Sequence, residues 1–242
     1  MNPGPHGYDL IVRFDLFTIA LLTQRDDAPQ LDETAAAELQ DSQMAYAADL
    51  HDAGHLLAAG PLAHARHRGL EVWSVEPERV QVLREQDPAA RAGWRSATVV
   101  RWMVPGGTIA FSRARLPRSA AEVASGEVRL DRLTVVLLML CEDAPAMDEE
   151  ARSALQDAHL AHNAEMHDAG HMLAAGPTHD ERLRGICIWG PEPERVEALC
   201  AADPSVRAGR LAPVVASWSV ASGTISFAAS RFPRSTAEAA YE

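Results

Sequence analysis

The residues best placed for chemistry in this chain are two histidines and one aspartate. Leu155, His159, His162 and Met166 step by 4, 3 and 4 positions, so on a helix they share one face, and the other two members of that stripe are apolar. Burying an imidazole costs free energy unless it is hydrogen-bonded. Near neutral pH it is also the natural general acid and base. Asp203 precedes Pro204 at the expected end of a second helix. A carboxylate close to an imidazole holds one tautomer and favours the charged form. Asp before Pro also serves as a plain turn residue, so the role of Asp203 depends on its lying beside His159.

Other groupings are weaker. His51 and His55, like His167 and His171, are spaced i, i+4 as metal ligands can be. A glycine interrupts each pair, no nearby Cys or Glu completes a ligand set, and no metal is expected. His64, His67 and His179 lie in polar stretches expected at a pocket rim or in solvent. All 22 basic residues are arginine, which excludes Schiff-base chemistry and a phosphate loop built on lysine. A formal net charge of −12 opposes nucleic-acid binding. No Gly-x-Gly-x-x-Gly, Gly-x-Ser-x-Gly or Cys-x-x-Cys occurs, so neither nucleotide, acyl-enzyme nor dithiol chemistry is indicated. The three cysteines, Cys141, Cys187 and Cys200, all fall in the second half and suggest a reduced, cytoplasmic protein. No apolar run is long enough for a membrane span and no secretory signal is recognised, so neither is expected.

The elements that must position these residues follow from an internal repeat. His-Asp-Ala-Gly-His occurs at 51–55 and again at 167–171, and sliding the chain by that offset aligns Phe14–Glu122 with Leu130–Glu238 without a gap. About half of the aligned positions are identical. The pattern reads as a tandem duplication with its boundary in the small polar stretch Ser119–Glu127. In each half an apolar run (Phe17–Leu22, Leu133–Leu140) reads as a buried strand. A helix of about twenty residues follows, opened by acids and closed at Gly54 or Gly170. Two strands come next, then a helix opened by Pro77 or Pro193 and stopped at Asp-Pro. A fourth strand and a short fifth one (Gly-Thr-Ile) complete the half.

The order β-α-β-β-α-β is ferredoxin-like, an α+β class with helices on one face of an antiparallel sheet. Two bare sheet faces in one chain are expected to pack on each other as an intramolecular pseudo-dimer. The domains expected are 8–118 and 128–236. Trp73/Trp189 and Trp102/Trp218 stand at equivalent strand positions as core or interface anchors. Trp94, which replaces Arg210, is expected to line or block a first-half cavity.

Helix–Gly–x–x–Leu–x–Ala–Gly–Pro, followed by Asp-Pro-x-x-x-Ala-Gly, resembles the YCII-related family, small proteins of the dimeric α+β barrel superfamily. The strings are Gly170–Pro177 with Asp203–Gly209, and Gly54–Pro61 with Asp87–Gly93. The resemblance implies a His–Asp pair, a histidine on the first helix and the aspartate of Asp-Pro. Carried over, these are His159 and Asp203; in the first half the same positions hold Gln43 and Asp87. Glutamine cannot exchange a proton near neutral pH, so one live site is implied in the second half, with Gln43, Tyr46 and Asp87 marking a degenerate one. The arginine often found three residues before the histidine is Gln40 or Gln156 here.

The resulting expectation is a cofactor-free acid–base enzyme of the lyase, isomerase or cyclase type. It would act on a small, largely apolar or aromatic metabolite, with secondary metabolism as the fold analogy. His159 would shuttle the proton, Asp203 would orient it, and His162 would assist. Gln156, Met166, Trp189 and Trp218 would line the substrate site. The alternatives are a non-catalytic binding or scaffolding protein of the same fold and a cofactor-free oxygenase. The partner expected is a small molecule, neither nucleic acid nor membrane, with the chain a monomeric pseudo-dimer or a homodimer.

Overall fold

The computed structural model describes residues 12–239. The expected first-domain start at residue 8 lies outside that range. The first half runs β1 (Phe14–Gln24), α1 (Glu33–Asp52), β2 (Leu56–Pro61), β3 (His67–Trp73), α2 (Pro77–Arg84), α3 (Pro88–Arg91), β4 (Arg95–Pro105) and β5 (Ile109–Phe111). A short helix α4 (Ala120–Ala124) links it to the second half. That half runs β6 (Leu130–Leu140), α5 (Glu149–Asp168), β7 (Met172–Pro177), β8 (Leu183–Trp189), α6 (Pro193–Cys200), α7 (Pro204–Arg207), β9 (Leu211–Ala221) and β10 (Ile225–Phe227). Every element of the first half up to β5 recurs with the same length in the second.

Local chemistry explains the element ends. Asp32 and Asp148 cap the long helices by accepting from Ala35 N and Ala151 N, both at 2.8 Å. Gly54 and Gly170 close them with φ of 80° and 72°, a conformation glycine adopts without strain. The Asp-Pro pairs do more than stop a helix: Asp87 and Asp203 cap a new short turn, α3 and α7. The boundary stretch Ser119–Glu127 holds α4, capped by Ser119. Strands β3 and β8 pair antiparallel with β1 and β6 along their length, back to His67 and Leu183.

The two four-stranded antiparallel sheets have the orders β2-β3-β1-β4 and β7-β8-β6-β9. Their helix-free faces pack together. Ile19, Leu21, Val72 and Trp102 of one half meet Val135, Leu137, Ile188 and Trp218 of the other in one core. The sheets also meet at their edges, through the bridges Leu62–Trp218 and Trp102–Thr178. Ala63 N donates to Ser217 O at 2.8 Å and His179 N to Arg101 O at 3.2 Å across these seams. The result is an eight-stranded barrel with the helices outside. Trp102 and Trp218 sew it with indole N–H bonds to Ile186 O and Gly60 O, at 3.1 and 3.2 Å. Gly60 and Gly176 sit where a Cβ would come within 1.7 Å of Ser219 O and 1.5 Å of Met103 O, so only glycine allows that approach. The fifth strands do not extend their own sheets; β5 pairs with β10 across the halves.

Candidate active site in the second half

On the helix side of the second sheet, α5 and the sheet enclose a cavity of about 350 Å³. His159 projects from α5 and is buried, as is Asp203 at the start of α7. His159 Nδ1 lies 2.7 Å from Asp203 Oδ2 and 2.9 Å from Oδ1. Asp203 Oδ1 also accepts from Ser205 N at 2.8 Å, which fixes the carboxylate in the turn. A carboxylate only accepts, so Nδ1 carries the proton and the basic lone pair of a neutral ring is on Nε2. Asn163, one turn further along α5, places its side-chain amide 3.0 Å from that Nε2.

The floor is uncharged. Cys187 on β8 and Cys200 at the end of α6 are buried; burial pushes the Cys200 thiol up to about 12 and Cys187 well above its ordinary range, so both stay protonated. Leu138, Leu160 and Phe232 supply apolar walls. The polar lining beside His159 and Asn163 includes Gln156, Ser205, Arg184 and Arg210. Phe14 and Pro105 of the first half also reach the cavity, so the barrel partner helps to form it.

The helix face turned to the cavity is Gln156, His159, Leu160 and Asn163, a step round from the face read off the sequence. Gln156 lines the cavity. Met166, Trp189 and Trp218 do not. Trp218 is held in the inter-sheet core, while Trp189 and Met166 pack in the sheet–helix core. His162 also lies off the cavity; its Nε2 is buried without a partner, and burial pushes its pKa down. At its first-half equivalent, Tyr46 donates from its hydroxyl to Leu83 O at 2.8 Å. Asn163, Arg184 and Arg210 are not among the site residues the sequence suggests. The exchanges of Ala47 for Asn163 and of Trp94 for Arg210 between the halves are the signals that point to two of them.

The repeated His-Asp-Ala-Gly-His motifs brace the fold. His51 bonds Leu56 O and Ala114 O, both at 2.9 Å, and His167 bonds Met172 O at 2.9 Å while stacking on Phe232 at 4.0 Å. Asp52 and Asp168 pair with Arg118 and Arg234. Among the described residues no group of three or more His, Cys, Asp or Glu could hold a metal ion.

In the first half the equivalent space is filled. Arg95, at the position of Leu211, donates to Gln43 Oε1 at 2.8 Å and Gln40 Oε1 at 3.0 Å, and its guanidinium lies 4.8 Å from the Trp94 ring centre. Arg84 bridges Glu71 and Asp87, each at 3.0 Å, where the second half has Cys200, Cys187 and Asp203. Burial pushes the Glu71 carboxyl up and Arg84 pulls it back. Asp87 is thus spent on an arginine, and no histidine is present to use it.

Residues 135–218, which hold the whole His159–Asp203 pair, match the profile of the YCII-related domain. This segment is a YCII-related domain. No curated protein sequence matches the chain. Among solved structures, the chlorite dismutase candidate TA0507 aligns over 85% of this chain and 94% of its own, at 10% identity and a TM-score of 0.51. A point variant of the chlorite dismutase of Candidatus Nitrospira defluvii aligns over 86% of this chain and 91% of its own, at 11% identity and a TM-score of 0.49. The first similarity shows the fold: two sheets and their helices joined in one chain. Among the described residues no helix is long and apolar enough to cross a membrane.

Proposed function

We propose that the protein is an acid–base enzyme of the lyase or isomerase type, working from the YCII-related half on a small metabolite. The observation that carries this reading is the ordered array Asp203–His159–Asn163 opening onto a cavity, where the first half sets Arg95 against Gln43 and Gln40. Nδ1–H stays on Asp203, which supports positive charge on the ring as it forms. A substrate proton donor displaces the Asn163 amide from Nε2, and Nε2 takes the proton. The bonding pair left behind delocalises into an adjacent carbonyl. The proton then returns at another position, or that pair closes a double bond as a leaving group departs with its own bonding pair and takes the proton from Nε2. With its amide turned over, Asn163 accepts from the new Nε2–H, so one side chain serves both protonation states.

Proton exchange between heavy water and a panel of small carbon acids, followed by NMR, tests this reading. His159→Gln, the residue of the first half, should slow exchange by about 10² to 10⁴-fold. Equal rates in the wild type and this variant would sink it. A second reading, a non-catalytic binding protein, draws on the same Asn163 contact, since it leaves both ring nitrogens satisfied. Ligand retention with no exchange by the wild type would favour that reading.

A further inference from the structure

We infer that the cavity beside His159 is built for a carboxylate-bearing ligand, with Arg210 as the principal anchor and Arg184 as its second cation. The inference rests on the acid–base reading for its location only. The protein as a whole is acidic, with 34 acidic against 22 basic residues, yet the described cavity lining includes two arginines and no acidic side chain. Asp203 lies behind His159 and is consumed by the imidazole and by Ser205 N.

Neither arginine has a carboxylate partner among the described residues. Arg184 Nη1 donates only to the backbone Asp180 O, at 2.8 Å. Arg210 bonds through its backbone, N to Ser205 O and O from Cys141 N, and no described side chain meets its guanidinium. Some other arginines of this chain are paired, as Arg118 is with Asp49 and Asp52 and Arg234 with Asp168, and what sets Arg210 and Arg184 apart is their place on the cavity lining. Arg210 is half-buried and Arg184 exposed; a guanidinium left open toward a cavity presents donors in a fork that matches a carboxylate.

Comparison with the other half strengthens the case. There the two positions at the start of β4 are Trp94 and Arg95, and Arg95 fills the space as an internal plug. In the second half they are Arg210 and Leu211. The plug has become apolar and the cation has moved to the neighbouring position on the cavity wall. The cavity lies near the lower end of the range for small-molecule sites. Its apolar side, Leu138, Leu160 and Phe232, suits the hydrocarbon body of a short carboxylic acid.

Paired titrations of the full chain with benzoate and benzamide, and with hexanoate and hexanamide, followed through the Leu160 and Asn163 amide resonances, test the assignment. At least one carboxylate should bind about tenfold more tightly than its amide. Arg210→Gln should abolish most of that preference and Arg184→Gln a smaller part. His159→Gln should keep it, so a failure of catalysis and a failure of the anion site give different results. No preference for either carboxylate, or a preference that survives loss of both arginines, overturns the inference. So does a preference lost in His159→Gln, since the anion would then sit on the imidazole.

Discussion

The two halves share one backbone and solve opposite problems at the same place. In the first, Arg84, Glu71, Asp87, Arg95 and Gln43 form a buried charged brace. In the second, two thiols replace the Glu71–Arg84 pair, a leucine replaces Arg95, and an imidazole replaces Gln43. The aspartate does not change, but its partner does. A carboxylate already held by an arginine has little left to offer a base; with Cys200 in place of Arg84, Asp203 is free to hold His159. A site of this type therefore depends as much on removing a competing cation as on adding a histidine.

The largest break in this comparison should come from the brace. Arg84→Ala leaves two buried carboxyls without their cation and should cost about 3–5 kcal/mol in urea unfolding. Cys200→Ala, the matching change in the second half, removes one buried sulfur and should cost about 1 kcal/mol. Equal losses would mean that the charged cluster is no brace. Next comes Asn163→Ala, which removes the partner of Nε2. A loss near 1 kcal/mol, roughly fivefold in kcat/KM of the exchange reaction, is expected. Ala47→Asn, its first-half mirror, should leave the rate unchanged.

The smallest effect concerns His162. Burial holds its pKa below the ordinary 6.5. As pH falls, the unfolded chain takes up that proton first, so stability is full above about pH 6.5 and declines below it. His162→Tyr, which copies Tyr46 and its bond to Leu83 O, should flatten the fall in Tm between about pH 7.5 and 5.5. His67, whose pKa burial also lowers, contributes a slope of the same sign to both proteins. An unchanged difference in Tm between the two would show that His162 titrates as it does in water.

Much of this molecule is legible in its sequence. The gapless repeat and the alternation of apolar runs with capped helices point to the sheets, their helices and the face-to-face packing. The His159–Asp203 pair comes through the resemblance, which names both partners, while spacing alone cannot bring residues 159 and 203 together. The helix face differs from the one expected because apolar periodicity reports what a helix packs on, and the cavity opens beside that stripe. Met166, Trp189 and Trp218 are drawn into the expected site for the same reason: large side chains at equivalent positions of both halves serve the shared core. A better signal lies where the halves differ in chemistry. Ala47/Asn163, Glu71/Cys187, Arg84/Cys200 and Trp94/Arg210 scatter along the sequence, and only the folded sheet gathers them around one imidazole.

The glycines at the seams have a consequence for the chain's solution behaviour. Each sheet has two outer strands, and unpaired outer strands are templates for aggregation. Because Gly60 and Gly176 let backbone meet backbone, the outer strands of each half are covered by those of the other. A separated half would expose both a hydrophobic face and two raw margins. Covalent linkage keeps the covering strand at high local concentration and also frees the halves from symmetry: a change in one is not copied into the other, so one can stiffen while its neighbour hollows out a site.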